Sequence, residues 1–367
     1  MERNAHDTRG TRPDGGSTPS RMAAVAASWR RAVATAATLA LVVMAIAACG
    51  SSDDGGSTSA GTTAGDSSSG SAGGTIIEVN CPVTICGQMK TGSEAAAKAF
   101  GVDFRWTSPT DVSNFVNDYV TLIRQAISQR PDALIVGEYV PAAARLIRQA
   151  RAAGIAVFVI DTGLDTWRRN GALGFSGYSY PLIGESAGAE MVRLGVQHFL
   201  CINPAAQNPN LDVECNSAGE EVEASGGTYS KMYIPLSDQS NQRAVAQNIQ
   251  GYLASHPDVD GIFTASGAID SAIVDAAKAA GKPDIPIGGA SIYKNALKHI
   301  KAGEMAFAVD LGGYLEGYYA VQMAAQYLQY HLLPGSEVIT GGQIVNKENV
   351  DAFLEIDAKS PGVVSLG

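Results

Sequence analysis

Side chains able to do chemistry are few and widely spaced in this chain. Its five histidines, His6, His198, His256, His299 and His331, share no metal-binding or catalytic spacing. No Gly-x-Ser-x-Gly elbow, His-Glu-x-x-His pair or phosphate-binding loop occurs, so the chain is expected to be no enzyme and to carry no cofactor or metal. Two kinds of chemistry remain. Cys81, Cys86, Cys201 and Cys215 are an even set that could form two disulfides in any of three pairings, of which the local one is the most economical. A four-cysteine zinc site is the rival, and its C-x4-C and C-x13-C spacing fits poorly. The other chemistry is hydrogen bonding at the ends of apolar runs. Glu138 and Tyr139 follow "ALIVG", Asp161 and Thr162 follow "VFVI", and Trp167 lies in the connection beyond. Carboxylates and hydroxyls so placed can hold hydroxyls or amines without transforming them.

The elements that must position these residues alternate regularly. "TIIEV" (75–79), "VDFRW" (102–106), "DALIVG" (132–137) and "IAVFVID" (155–161) read as strands. Between them lie helical patterns, "GSEAAAKAFG" (92–101), 111–128 and "PAAARLIRQARAAG" (141–154), the last with a proline opening and a glycine stop. The pattern then starts again, with strands at 198–202, 228–234 and 260–266 and helices at 216–224, 239–255 and 268–281. Continuous Val and Ile strands alternating with helices imply parallel sheets covered on both faces. Two doubly wound α/β lobes would face each other with the carboxyl ends of their strands, where open parallel sheets bind ligands.

Residues 1–31 are polar and carry Arg21, Arg30 and Arg31, and residues 32–48 hold no charge. A basic region, a short apolar core and a small-residue exit describe a secretory signal over residues 1–48. A permanent membrane anchor is the alternative, and Arg30-Arg31 could also serve twin-arginine rather than general export. Ile46-Ala47-Ala48-Cys49 resembles the lipobox of bacterial lipoproteins, which implies lipidation at Cys49 and anchoring to the outer face of the membrane. Residues 49–74, nearly all Gly, Ser, Thr, Ala and Asp, read as a flexible linker. Loss of residues 1–48 would leave 20 basic and 33 acidic residues, a net charge of −13 that argues against a nucleic-acid partner.

Three phrases resemble the bacterial solute-binding proteins of ribose and galactose type. They are "RPDALIVGEYVPAAARLIRQARAAGIAVFVIDTG" (130–163), "SDQSNQRAVAQNIQGYLASHPDVDGIFTAS" (237–266) and "NALKHIKAGEMAFAVDLGGYLEGYYA" (295–320). The resemblance implies a monomer of two α/β lobes joined by three crossovers, a small-molecule solute held in the cleft, and an ABC permease as partner. A lipid-anchored sensor that presents its closed form to a membrane receptor is the alternative. The crossings are expected near 175–179, 306–311 and 335–340, giving one lobe from 75–177 plus 311–336 and another from 178–310 plus 337–360. Several positions where the family places sugar-binding side chains hold other residues here. The expected Asn-Asp falls on Ser266-Gly267, an Arg on Asn216, and Asp residues on Ser179 and Ala290, whereas Asp161 fits. The expected ligand set is therefore Gln88, Glu138, Tyr139, Asp161, Thr162, Trp167, Tyr178, Ser179, Asn216, Ser266 and Asp310, which suits a polyol, a modified sugar or a cation better than an anion.

Overall fold

A computed structural model describes residues 74–366 apart from Asp111 and Gln207. The signal segment 1–48, Cys49 and all of the linker but Gly74 lie outside the described residues. In chain order the first elements are β1 (Thr75–Val79), α1 (Thr84–Phe100), β2 (Asp103–Thr107), α2 (Phe115–Ser128), β3 (Ala133–Val136), α3 (Pro141–Ala152), β4 (Ala156–Ile160) and β5 (Gly174–Tyr178). There follow α4 (Tyr180–Arg193), β6 (His198–Asn203), α5 (Pro209–Ala224), β7 (Thr228–Tyr233), α6 (Gln242–Ser255), β8 (Gly261–Thr264), α7 (Asp270–Ala279) and β9 (Ile287–Ala290). The last are α8 (Lys294–Ala302), β10 (Phe307–Val309), α9 (Gly313–Tyr330), β11 (Val338–Thr340), β12 (Ile344–Asn346) and α10 (Val350–Lys359).

Two six-stranded sheets result, in the orders β11-β5-β4-β3-β1-β2 and β12-β10-β9-β8-β6-β7. Every pairing is parallel except that of β10 with β12. The unbroken apolar strands have a direct cause. Ile77, Val79, Leu134, Val136, Val157 and Val159 pack on one face of the first sheet, while Ile76, Ala133, Ile135, Phe158 and Ile160 pack on the other. With both faces covered by helices, most strand positions are apolar, and polar exceptions such as Glu78 and Ser176 are themselves buried.

Two helices start well before the sequence pattern announces them. Helix α1 begins at Thr84, not at Gly92, where the helical pattern of the sequence starts. Gly92 is instead a packing device. A Cβ there would lie 1.9 Å from the Tyr314 carbonyl oxygen, and one at Gly317 would lie 1.9 Å from that of Met89. These two glycines let the backbones of α1 and α9 touch. Helix α5 begins at Pro209 rather than 216. Its start is fixed by the Asn208 side chain, which accepts from Asn210 N–H at 3.1 Å, and by a proline in the first turn.

The chain passes between sheets after Tyr178, after Val309 and after Thr340. The last passage falls at the end of the expected 335–340 window, and it corrects the assignment of 337–340 to the second lobe. Strand β11 pairs parallel with β5, Val338 opposite Ser176, so these residues extend the first sheet. The turn itself is Gly341-Gly342, at φ 81° and 84°, a region that favours glycine. Gly341 also packs on the second passage, where a Cβ would fall 2.7 Å from the Leu311 carbonyl oxygen. Gly342 N–H donates to Asp310 O at 2.8 Å and Asp310 N–H to Gln343 O at 2.8 Å, which couples these two connections.

The local disulfides, Cys81–Cys86 and Cys201–Cys215, are the pairs that form. Among the described residues no group of side chains could hold a metal ion, and no helix is long and apolar enough to cross a membrane.

Candidate functional site

The carboxyl ends of β3, β4 and β5 converge where the first sheet meets the second lobe. Asp161 stands directly after β4 at φ 62°, a left-handed conformation that Asp adopts more readily than most residues. Its N–H donates to Ser176 O at 2.9 Å, and Gly177 leaves room for it, since a Cβ there would lie 2.9 Å from the Asp161 carbonyl oxygen. Asp161 is only 9% exposed. Burial raises its pKa from 3.8 to about 6, the nearby polar side chains of Tyr139 and Thr162 opposing the rise.

Glu138 follows β3 and is tied to the same corner, its N–H donating to Thr162 O at 2.7 Å. Its Oε2 accepts from Thr166 Oγ1 at 2.6 Å and from Asn170 Nδ2 at 2.8 Å, while Oε1 is buried without a protein partner. The Tyr139 hydroxyl donates to Asn80 Oδ1 at 2.7 Å. Asn80 Nδ2 in turn donates to Glu78 Oε1 at 2.7 Å, and Ser93 Oγ donates to Glu78 Oε2 at 2.6 Å. A chain of hydrogen bonds thus runs from the core to the cleft. Burial lifts Glu78 from 4.5 to about 7.

Two cavities open at this corner. One, of about 460 Å³, is lined by Glu138, Asp161, Thr166 and Ser179 and, from the second lobe, Tyr180 and Asn210. The other, of about 570 Å³, shares Asp161, Thr162, Tyr178, Tyr180 and Asn210 with it and runs outward past Tyr139. Neither is lined by any Lys, Arg or His. Behind them Glu316 on α9 is fully buried with both carboxylate oxygens unpartnered. Burial, with Asp161, Asp310 and Glu78 nearby, pushes its pKa well up. Glu214 on α5 and Asp270 on α7 are also buried and raised by burial alone. The cleft therefore offers acceptors and aromatic rings but no positive charge, which disfavours carboxylate or phosphate ligands.

Of the expected ligand set, Glu138, Tyr139, Asp161, Thr162, Tyr178 and Ser179 come together at these cavities. The others do not line them. Trp167 is a correction: it is 6% exposed inside the apolar core of the first lobe, with the Arg168 guanidinium 4.3 Å from its ring centre. Asn216, where the family carries an arginine, is another: it faces β7, accepting from Tyr229 Oη at 2.7 Å and Lys231 Nζ at 2.9 Å. Gln88 is buried between α1 and α9, its Oε1 2.8 Å from where a Cβ on Gly313 would be. Ser266 caps the short turn after β8, and Asp310 accepts from Gly312 N–H at 2.9 Å in the second connection.

Sequence reasoning missed Tyr180, Asn210 and Val213. Asn208-Pro209 is a helix-start signature that could have placed the last two, and the tyrosine of "SYP" follows the first crossing directly.

Residues 84–331 match a family described as periplasmic binding protein domain. A carbohydrate transporter structure from Acidothermus cellulolyticus 11B, in complex with myo-inositol, is 27% identical and superposes with a TM-score of 0.66 over 79% of this chain and 99% of that one. A periplasmic ribose ABC transporter structure from Conexibacter woesei is 22% identical, with a TM-score of 0.68 over 78% and 97%. An arabinose-binding protein from Geobacillus stearothermophilus is 20% identical, with a TM-score of 0.64 over 76% and 98%. With its two parallel-sheet lobes, three connections and acceptor-lined corner between them, the chain belongs to the periplasmic binding protein family, whose members bind solutes rather than transform them.

Proposed function

We propose that the protein captures a neutral polyhydroxylated solute, a sugar or cyclitol, between its lobes and delivers it to an ABC permease. The observation that carries this reading is the corner formed by Asp161 and Glu138. A nine-tenths-buried carboxylate and a second carboxylate oxygen lacking a protein partner lie beside tyrosine hydroxyls, with no cation among them. Such a corner accepts from vicinal hydroxyls, and a buried acceptor left unmet costs about 1–3 kcal/mol, so the solute supplies what the protein withholds. Binding to both lobes favours the closed form by the difference in affinity between the two states. The myo-inositol and ribose relatives support the polyol class.

Isothermal titration with aldoses, ketoses, cyclitols, amino acids and polyamines tests the class. Micromolar or tighter binding within the polyol group, abolished in Asp161→Ala, is expected. Binding confined to amino acids or carboxylates would refute it. We place the protein on the outer membrane face, tethered through Cys49. Acyl labelling that persists in Cys49→Ser would disprove the tether.

A further inference from the structure

The outer cavity differs in character from the inner one. Its first-lobe wall is Pro82, Val83, Ile85, Val112 and Phe115, and Pro209 faces them from the second lobe. Val83 is 47% and Val112 65% exposed. The inner cavity, by contrast, ends on Glu138, Asp161, Thr166 and Ser179. The two adjoin across Asp161, Thr162, Tyr178, Tyr180 and Asn210; the inner one, although Leu164, Pro181 and Val213 also line it, adds the carboxylate of Glu138 and the hydroxyls of Thr166 and Ser179, and the outer one adds the apolar wall. Each alone lies within the range of drug-sized sites, roughly 300–1,000 Å³, so the outer one offers room beside a ring held in the inner one.

The walls are also held. Pro82, Val83 and Ile85 lie inside the segment closed by Cys81–Cys86. Ala205, Pro209, Asn210 and Val213 lie inside the segment closed by Cys201–Cys215. A covalently closed segment carrying apolar side chains toward a cavity is pre-organised, which lowers the entropy lost when a ligand is gripped. On this basis, which rests on the polyol reading above, we infer that the solute is a glycoside or similarly substituted polyol whose apolar group occupies the outer cavity between Val112–Phe115 and Pro209. The hydroxylated ring sits at Asp161 and Glu138. The apolar group displaces water from the exposed valines, and Phe115, whose ring lies 6.1 Å from that of Tyr139 at 62°, offers it an aromatic edge.

Matched probes test this: free glucose, galactose and arabinose, their methyl glycosides and their phenyl glycosides, titrated calorimetrically into the intact, oxidised protein. A phenyl glycoside of at least one of these sugars should bind about tenfold or more tighter than its methyl counterpart, the gain expected from burying one small apolar group. In Val112→Asp, checked for an unchanged melting midpoint, that phenyl-to-methyl ratio should fall toward one. Binding of sugars or methyl glycosides with no phenyl preference would overturn the inference and leave the polyol reading standing. A phenyl preference that survives Val112→Asp would place the apolar group elsewhere and also overturn it. No binding by any of these probes would overturn the inference, while the polyol reading would stand or fall on the ketoses and cyclitols of the wider titration.

Discussion

Replacing Asp161 by asparagine should make the ligand-free protein more stable above neutral pH while removing its grip on a polyol. The folded carboxyl titrates at about 6 against an ordinary value of 3.8, because burial penalises its charged form more than Tyr139 and Thr162 relieve it. The sign follows from linkage. Between the two values the folded state holds the proton more tightly than the unfolded chain, so stability falls as pH rises through that window. Above pH 6 the full penalty applies, on the order of 3 kcal/mol for a shift of roughly two units at 1.36 kcal/mol each. Asparagine keeps the shape, tolerates φ 62° as well as Asp does, and carries no charge. Loss of the hydrogen bonds to the charged form offsets part of the gain, leaving about 1–3 kcal/mol at pH 8 and little at pH 4. Glu78, raised to about 7 by burial, adds a slope of the same sign in both proteins, so the difference between them reports on position 161 and its field at Glu316. Urea unfolding followed by tryptophan fluorescence at pH 4.5, 6 and 8 measures it. A variant less stable than wild type at pH 8, or a difference that does not change with pH, would refute the reasoning.

Three further outcomes are expected. Cys201→Ser with Cys215→Ser should lower stability by about 3 kcal/mol, and Cys81→Ser with Cys86→Ser by less, because the longer loop gains more from closure; equal midpoints for the two double variants in thermal unfolding would contradict this. Gly317→Ala should destabilise by about 3 kcal/mol or more by forcing α1 and α9 apart, where its Cβ would meet the Met89 carbonyl oxygen at 1.9 Å; a midpoint within 1 °C of wild type would show that the helices have slack. Trp167→Ala should cost about 3–5 kcal/mol as a buried aromatic deleted from the core, yet leave the affinity for a bound polyol within about twofold; a large loss of affinity in calorimetry would restore Trp167 to the site.

Much of the first lobe was legible because its signals are local. "ALIV" and "AVFVI" cannot be other than buried strands when flanked by "PAAARLIRQARAAG", and the residues directly after them, Glu138, Tyr139, Asp161 and Thr162, inherit the strand ends as their place. The cysteine pairs were legible in part, since each lies close in sequence. Signals that depend on distant partners misled. Gly92 reads as the start of a helix until α9, more than two hundred residues later, is seen lying against the middle of it. Asn216 was placed where the family carries an arginine, and only the packing of α5 on β7 shows that it meets Tyr229 and Lys231 instead of the cleft. Trp167 sat near the right strand tip, but only the packed core shows that its ring points inward.

The amino-acid sequence by itself determined the alternation of strands and helices, the two doubly wound halves and the acid-and-hydroxyl character of the first lobe's strand tips, because hydrophobic period and capping act within a few residues. Only the tertiary structure decided which tips share a cavity, that β11 completes the first sheet rather than the second, and that Pro209, Val112 and Phe115 form one apolar wall. Those facts depend on the relative placement of segments far apart in the chain, and no periodicity within either segment encodes the distance between them.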